Sequence, residues 1–482
     1  MLITDVQVAG LPRLVDVRCV EGRIAEVGPC LRRSAHDTVL AGAGAALLPG
    51  LHDHHIHLLA LAALRNSVQC GPPDVSDRAQ LERALRAGHA SGWLRGVGYH
   101  ESVAGDLDRR QLDRIRSDSP LKIQHRSGKL WIVNSLAAQL LSLDENAGLP
   151  GIELDATGRP SGRLFWLDGW MREQLAQSGP VSMPSLAGVS RLLASFGVTG
   201  VTDATPDNDR FAMAHFTSAA ASGELLQAVR VMGNQVLPES GCAQVQRAER
   251  KVMLDENTLP DWDDLLVVFE TAHRQGRPVA VHCVTPAELV LTLSVLREVG
   301  PHPGDRIEHC SLVPNEILPL LREVGVRVIT QPGFIHERGD QYLHGVAPAE
   351  HGELYRCNTL LVHGIRLAGS TDAPYGNPDP WAAMRAAVDR RSCAGIALGQ
   401  AEQLSPEQAL ALFTSAADDP GGASRTIAVG EVADLCLLNC TWQEARLRLC
   451  SADVRATLRD GTLIFEQDRQ VMTRRQDAAV VA

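Results

Sequence analysis

Three observations predict an α/β chain built on a closed (β/α)8 barrel of the TIM type. Short apolar runs ending in polar residues recur along the middle of the 482-residue sequence, helical periodicity follows them, and both ends are instead rich in β-formers. The runs cover 46–57, 198–203, 228–232, 250–254, 278–284, 305–311, 326–331 and 365–372. Eight strands close such a barrel, and strand–helix alternation implies parallel strands joined by crossover helices. The helical pattern is plain over 262–273, where Leu265, Leu266, Phe269 and Ala272 share a face and Gly276 follows as a stop.

The two ends read differently. Strands are expected at 2–8, 14–19 and 23–27, and again at 433–438, 454–458 and 462–467, with Arg459-Asp460-Gly461 as a turn signal. A small composite β-sandwich of 1–48 and 425–482 would then enclose a barrel domain of 49–424. The stretch 66–184 breaks the alternation. More than a hundred residues long and rich in Arg, Trp and Gly, it reads as an insertion after the first barrel strand, a lid or substrate subdomain over the barrel mouth.

Composition narrows the function classes. Lys and Arg number 46 against 57 Asp and Glu, a formal net charge of −11, which argues against nucleic-acid or anionic-membrane binding. The longest apolar runs are too short and too Gly-rich to span a bilayer. No basic stretch leads into an apolar one at the start of the sequence, so no secretion signal is expected. Eleven cysteines, scattered and never spaced CxxC, read as reduced thiols of a cytoplasmic protein.

Chemistry concentrates in Pro49-Gly50-Leu51-His52-Asp53-His54-His55-Ile56-His57. Side chains alternate faces along a strand, so His55 and His57 point the same way, into the barrel if this is its first strand, while His52 and His54 take the other face. Two imidazoles two residues apart can grip one divalent ion. An HxH pair alone is more often chance or structural. Further ligand-type residues stand near the ends of later runs: Lys251, His282, His309 and Asp372. Their successive separations are 31, 27 and 63 residues, against a βα repeat of about 31 in a barrel of about 250 residues. One repeat, one repeat and two repeats place all of them at strand ends on the C-terminal face, where a barrel carries its active site. Cys283 and Cys310, each after one of these histidines, should point outward as core thiols, and Arg306 with Glu308 reads as a buried ion pair.

With these residues in place the sequence resembles the amidohydrolase superfamily and, within it, the amidohydrolase 3 group of metal-dependent hydrolases, which includes N-substituted formamide deformylases. The resemblance spans nearly the whole chain. It is carried by residues 49–57, Trp93-Leu94-Arg95-Gly96-Val97-Gly98, Trp131-Ile132-Val133-Asn134-Ser135, residues 305–311, Gln331-Pro332-Gly333-Phe334 and Ser370-Thr371-Asp372-Ala373-Pro374-Tyr375-Gly376. It implies one or two divalent metals, Zn2+ by default for imidazole-rich ligation, held by His55, His57, Lys251, His282, His309 and Asp372. Lys251 would be carboxylated by CO2 and bridge the metals, and Asp372 would be both ligand and proton shuttle. Zinc lowers the pKa of bound water from 15.7 to about 7, which makes hydroxide available at neutral pH. The structural alternative for Lys251 is a surface salt-bridge lysine.

Substrate contacts are expected from Arg126, Lys129, Trp131 and Trp166 of the insertion and from Phe334 and Tyr375 after later strands; for the first four, a solvated or latch-like loop is the alternative. Lys129 departs from a His-containing family pattern. The implied activity is hydrolysis of a C–N bond in an amide, a formamide-like compound or a cyclic amide. A mononuclear aminohydrolase of heterocycles is disfavoured, because its HxxE pattern would need Glu where Thr285 stands. A catalytically silent barrel acting as a binding protein is disfavoured because all six ligand positions are filled. The expected partner is a small-molecule substrate, with no nucleic acid and no membrane, and a homodimer is kept open.

Overall fold

The structure, a computed structural model, describes residues 1–35, 37–72, 74–88, 92–127, 129–177 and 183–467. Two compact units make up the chain: Met1–Leu58 with Leu186–Ala482, and Leu59–Ser185.

The first unit contains the barrel. Its strands are Leu51–Ile56, Val198–Asp203, Ala228–Gly233, Val245–Val252, Val279–Cys283, Arg306–His309, Arg327–Thr330 and Leu367–Gly369, each parallel to the next. All eight expected runs are present. The first and eighth strands meet through the residues just beyond them. Asp372 N–H donates to His55 O at 2.9 Å and His57 N–H to Ala373 O at 2.8 Å, so the seam of the barrel closes where ligand-type residues sit. Lower down, Leu412 and Phe413 bridge the gap, accepting from Gly369 N and His52 N.

Crossover helices cover the outside. Trp262–Arg274 buries Leu265, Phe269 and Ala272, the stripe its periodicity predicts. Pro286–Val299 starts at a reciprocal cap in which Thr285 accepts from Glu288 N while the Glu288 side chain returns to the Thr285 backbone.

Two boundaries differ from the sequence reading. The run 46–57 is two strands: Ala46–Pro49 belongs to the terminal sheet and Leu51–Ile56 to the barrel. The chain changes sheets at Gly50, where a Cβ would lie 2.3 Å from the Thr199 side chain, so only glycine fits. Both halves are buried, which is why one apolar run spans the break. The fourth barrel strand begins at Val245, before the expected 250, because Gln246 and Arg247 are polar rim residues that still join the ladder.

Both chain ends build one further sheet, in the order Thr462–Glu466, Val454–Arg459, Leu435–Leu438, Ala46–Pro49, Leu2–Val8, Val15–Val20, Arg23–Gly28, with Val39–Ala41 beside Leu2–Val8. Ile3, Val6, Val17, Ile24, Leu47, Leu435, Leu437 and Leu458 form its apolar core. This is the small sandwich domain the β-rich termini predict.

The second unit is a six-stranded mixed sheet ordered Ile152–Leu154, Pro160–Phe165, Leu130–Val133, Leu121–His125, Leu94–Tyr99, Val68–Gln69. One apolar cluster gathers Leu81, Leu85, Leu94, Leu112, Leu121 and Ile123. A second gathers Trp131, Val133, Leu141, Leu143, Leu164 and Met171. The unit therefore carries its own core.

No described helix is long and apolar enough to cross a membrane.

Candidate metal centre

The first barrel strand supplies two imidazoles through simple alternation. His55 is buried on it and His57 follows its last residue. Their Nε2 atoms lie 3.4 Å and 3.2 Å from Asp372 Oδ1, which the seam hydrogen bonds bring beside them. One atom from each of His55, His57 and Asp372 lies within 4.8 Å of the other two, as ligands of a common ion must.

The other imidazoles adjoin this group. The His309 ring is 4.9 Å from that of His55, and the His282 ring 4.4 Å from that of His309, centre to centre. Lys251 lies on the fourth strand with 5% of its surface exposed, and its Nζ has no hydrogen-bond partner. Four strand ends thus bring together five of the six residues that the sequence selects, and the Lys251 charge is felt by His55 and His282 of that cluster. A surface salt-bridge lysine is ruled out by that burial.

Each metal-type histidine on which a partner is visible is held by its Nδ1. His55 Nδ1 bonds Glu308, His57 Nδ1 meets Thr205 Oγ1 at 3.0 Å, and His309 Nδ1 meets Gln331 Oε1 at 2.8 Å. Gln331 in turn donates Nε2–H to Ser370 Oγ, which turns its carbonyl oxygen to His309 and makes Nδ1 the protonated nitrogen. Nε2 is then the bare, basic nitrogen, the arrangement of a ligating imidazole. A divalent cation fits this donor set: three orientated imidazoles, a carboxylate oxygen and an uncommitted buried amine.

Electrostatics follow from burial and neighbours. Burial, then Lys251 and His55, push His282 down to about 4, so it is neutral at pH 7. Burial, then His55, also hold His309 well below its usual range. Asp372 would be raised by burial, but the imidazoles of His55 and His57 beside it outweigh that and hold it well below the usual carboxylate range. His55 feels burial and Lys251 as lowering influences, yet Glu308 and Asp372 outweigh them and raise it. Burial lowers Lys251, against the pull of Glu308.

The backbone is strained at this site. His309, Cys310 and Asp372 have φ of +69°, +51° and +55°, a left-handed conformation uncommon outside glycine. It turns the His309 and Asp372 side chains off their strand ends.

The opposite face of the first strand is structural. His52 Nε2 meets Thr202 Oγ1 at 3.0 Å and His54 Nε2 meets Ser415 Oγ at 3.1 Å, both fully buried. Burial drives both rings well below their usual pKa. Asp53 accepts from Thr371 N and Thr371 Oγ1, tying the first strand to the turn that carries Asp372. Burial raises its carboxyl to about 6. Cys283 and Cys310 are buried free thiols, as alternation predicts.

Several residues that shape the site were not singled out in the sequence. Thr205 and Gln331 hold the imidazoles of His57 and His309, and Asp203 accepts from Leu58 N at 2.7 Å, next to His57. Asp203 and Gln331 stand at the ends of the second and seventh strands, the position that selects the ligands, so the same rule would have found them. Arg306 Nε and Glu308 Oε1 form the expected buried pair at 2.5 Å, but Glu308 also holds His55.

The expected substrate residues scatter. Tyr375 is exposed and its ring lies edge-on to His57 at 5.4 Å. Phe334, by contrast, is buried against Ile335, Leu354 and Tyr355 under the Arg338 guanidinium, a packing role. In the inserted unit Trp131 is 5% exposed and belongs to the apolar core, flanked by the cations of Arg95 and Lys122. Trp166 is 69% exposed with the Lys129 ammonium 4.6 Å above its ring. Those two border a pocket of about 280 Å3 with Tyr99, His125, Arg163 and Phe165. Arg126 is exposed in the turn after Leu121–His125. In the first unit a cleft of about 660 Å3 opens beside His282, walled by Met253, Asp255, Asn257 and Thr285.

Comparison with known proteins places this geometry. The model of the amidohydrolase family matches residues 39–465. An N-substituted formamide deformylase from Arthrobacter pascens is 24% identical over 515 aligned positions, covering 92% of this chain and 94% of the relative. Among solved structures, an uncharacterised metal-dependent hydrolase from Pyrococcus furiosus superposes with a TM-score of 0.74 at 20% identity, over 90% of this chain and 97% of that one. The zinc-complexed atrazine chlorohydrolase from Arthrobacter aurescens TC1 superposes with a TM-score of 0.55 at 14% identity, over 99% of both chains.

Proposed function

The chain belongs to the amidohydrolase family, and from that premise we propose that it is a metal-dependent hydrolase of a C–N bond in an amide, a formamide-like compound or a cyclic amide. The observation that carries this reading is the convergence of His55, His57 and Asp372 within ligand distance of one another, with His282, His309 and Lys251 adjoining. The deformylase similarity supports the formamide-like class.

His55, His57, His282, His309 and Asp372 would hold one or two divalent ions, with zinc the default for so many imidazoles. When bound, such an ion acidifies a coordinated water and polarises the substrate carbonyl. The chain's own contribution is geometric and protonic. Glu308, Thr205 and Gln331 orient the rings of His55, His57 and His309. Asp372, held ionised by its imidazole neighbours, is the base that accepts a proton from the attacking water and passes it to the leaving nitrogen. Lys251 is proposed as a bridging ligand after carboxylation. A neutral amine is what adds CO2, and burial favours the neutral form here. The role of 66–184 in selecting substrate, through Arg126, Lys129 and Trp166, belongs to the same proposal, as does Tyr375 beside His57.

Thr285 weakens the deaminase alternative. It occupies the place of the glutamate that chemistry needs, and the structure commits it to capping Pro286–Val299. The test is a screen of zinc-loaded protein against N-formyl amines, acyl amides and cyclic imides. Release of formate or a carboxylate with the free amine is the expected result. Ammonia release from aminated heterocycles alone would reverse the assignment.

A further inference from the structure

Apart from the six candidate ligands, a thiol and an imidazole face each other at the protein surface. Cys393 Sγ lies 3.5 Å from His336 Nε2. His336 stands on the helix Gly333–Gly345 that follows the seventh barrel strand, and Cys393 on a short hairpin pinned by the Arg391–Ala397 bridge.

The pairing is built in several ways. Cys393 N–H donates to His336 O at 3.0 Å, Ser392 Oγ–H donates to Asp340 Oδ1 at 2.5 Å, and Ala394 N–H donates to Asp340 Oδ2 at 3.2 Å. Gly339 lets the hairpin seat against the helix, since a Cβ there would lie 2.8 Å from that of Ser392. These contacts fix the backbone on both sides of the thiol.

The tautomer of His336 follows from its other nitrogen. Nδ1 lies 3.2 Å from the Arg391 carbonyl oxygen. A carbonyl only accepts, so Nδ1 carries the hydrogen and the Nε2 lone pair is left facing the Cys393 S–H. A thiol beside an accepting imidazole is the arrangement that activates sulfur as a nucleophile.

We propose that Cys393 and His336 form a reactive thiol–imidazole pair that is a modification site for low-molecular-weight disulfides. Cys393 Sγ attacks one sulfur of the disulfide, a new S–S bond forms as the old one breaks, and His336 Nε2 takes the thiol proton and returns it to the departing thiolate. Cys393 is oxidised to a mixed disulfide and the reagent is reduced to one equivalent of thiol, so the exchange balances without a further oxidant.

The sequence supplies an internal control. Of the eleven cysteines only Cys30 and Cys393 are exposed; Cys19, Cys70, Cys283, Cys310, Cys357 and Cys436 are buried. The experiment exposes the full native chain briefly to the chromogenic disulfide DTNB and, separately, to oxidised glutathione, then locates the adducts by peptide mass mapping. Cys393 should react at least about tenfold faster than Cys30, and His336→Asn should bring it within about twofold of Cys30 while the Cys30 rate stays unchanged. Equal rates for the two thiols in the wild-type protein would overturn the proposal, as would a fast Cys393 that survives His336→Asn. Labelling of the six buried cysteines would report that the variant has unfolded, and the wild-type ratio then decides.

Discussion

The barrel mouth and the inserted unit both gather histidines, cations and aromatics, yet they use them in opposite ways. At the mouth, residues up to 317 positions apart in the chain bring their functional atoms to one point, and the rings of His55, His57 and His309 are each held by a second side chain behind them. In the inserted unit, the aromatic–cation residues either enter the core, as Trp131 does, or stand exposed over one another, as Lys129 and Trp166 do. Clustering of reactive residue types is therefore weak evidence for a site, whereas convergence from successive strand ends, with the ring orientation fixed from behind, is strong evidence.

The largest effect that would break this contrast is at Asp372. Asp372→Asn keeps an oxygen ligand but removes the proton acceptor, so it should retain metal while turnover falls about a hundredfold to ten-thousandfold. Turnover within about tenfold of wild type, read alongside metal content, would remove the shuttle role. In the inserted unit the equivalent loss should be structural. Trp131→Ala deletes a buried indole and should cost about 3–5 kcal/mol, read as a lowered denaturation midpoint.

How much of this was legible in the sequence follows from the same contrast. The strand ends were visible because apolar runs of fixed type recur at the βα period, and Lys251, His282, His309 and Asp372 fell on that period. The break at Gly50 was hidden by burial on both sides, although Pro49-Gly50 marks it chemically. Thr205 and the second role of Glu308 were hidden for a different reason: which imidazole nitrogen needs a partner is set only once the rings converge. The insertion has no period, so nothing in it separated a core tryptophan at 131 from an exposed one at 166.

Smaller effects sharpen the comparison. Gln331→Leu removes the partner of His309 Nδ1 together with a donor to Ser370 Oγ, and it should weaken metal binding about tenfold to a hundredfold in competition with a chelator while the fold persists. An unchanged affinity would mean that His309 does not ligate. Lys129→Ala, which removes an exposed cation from the face of an exposed indole, should change stability by no more than about 0.5 kcal/mol in a denaturant titration.

The central claim, that residues distant in the chain form one metal centre, is tested most directly by the zinc content of the purified chain after loading and desalting, measured for the wild type and for His55→Ala/His57→Ala. The wild-type protein should retain at least one equivalent of zinc and the double variant should lose it while remaining folded. Equal zinc in both proteins, or none in the wild type, would contradict the account.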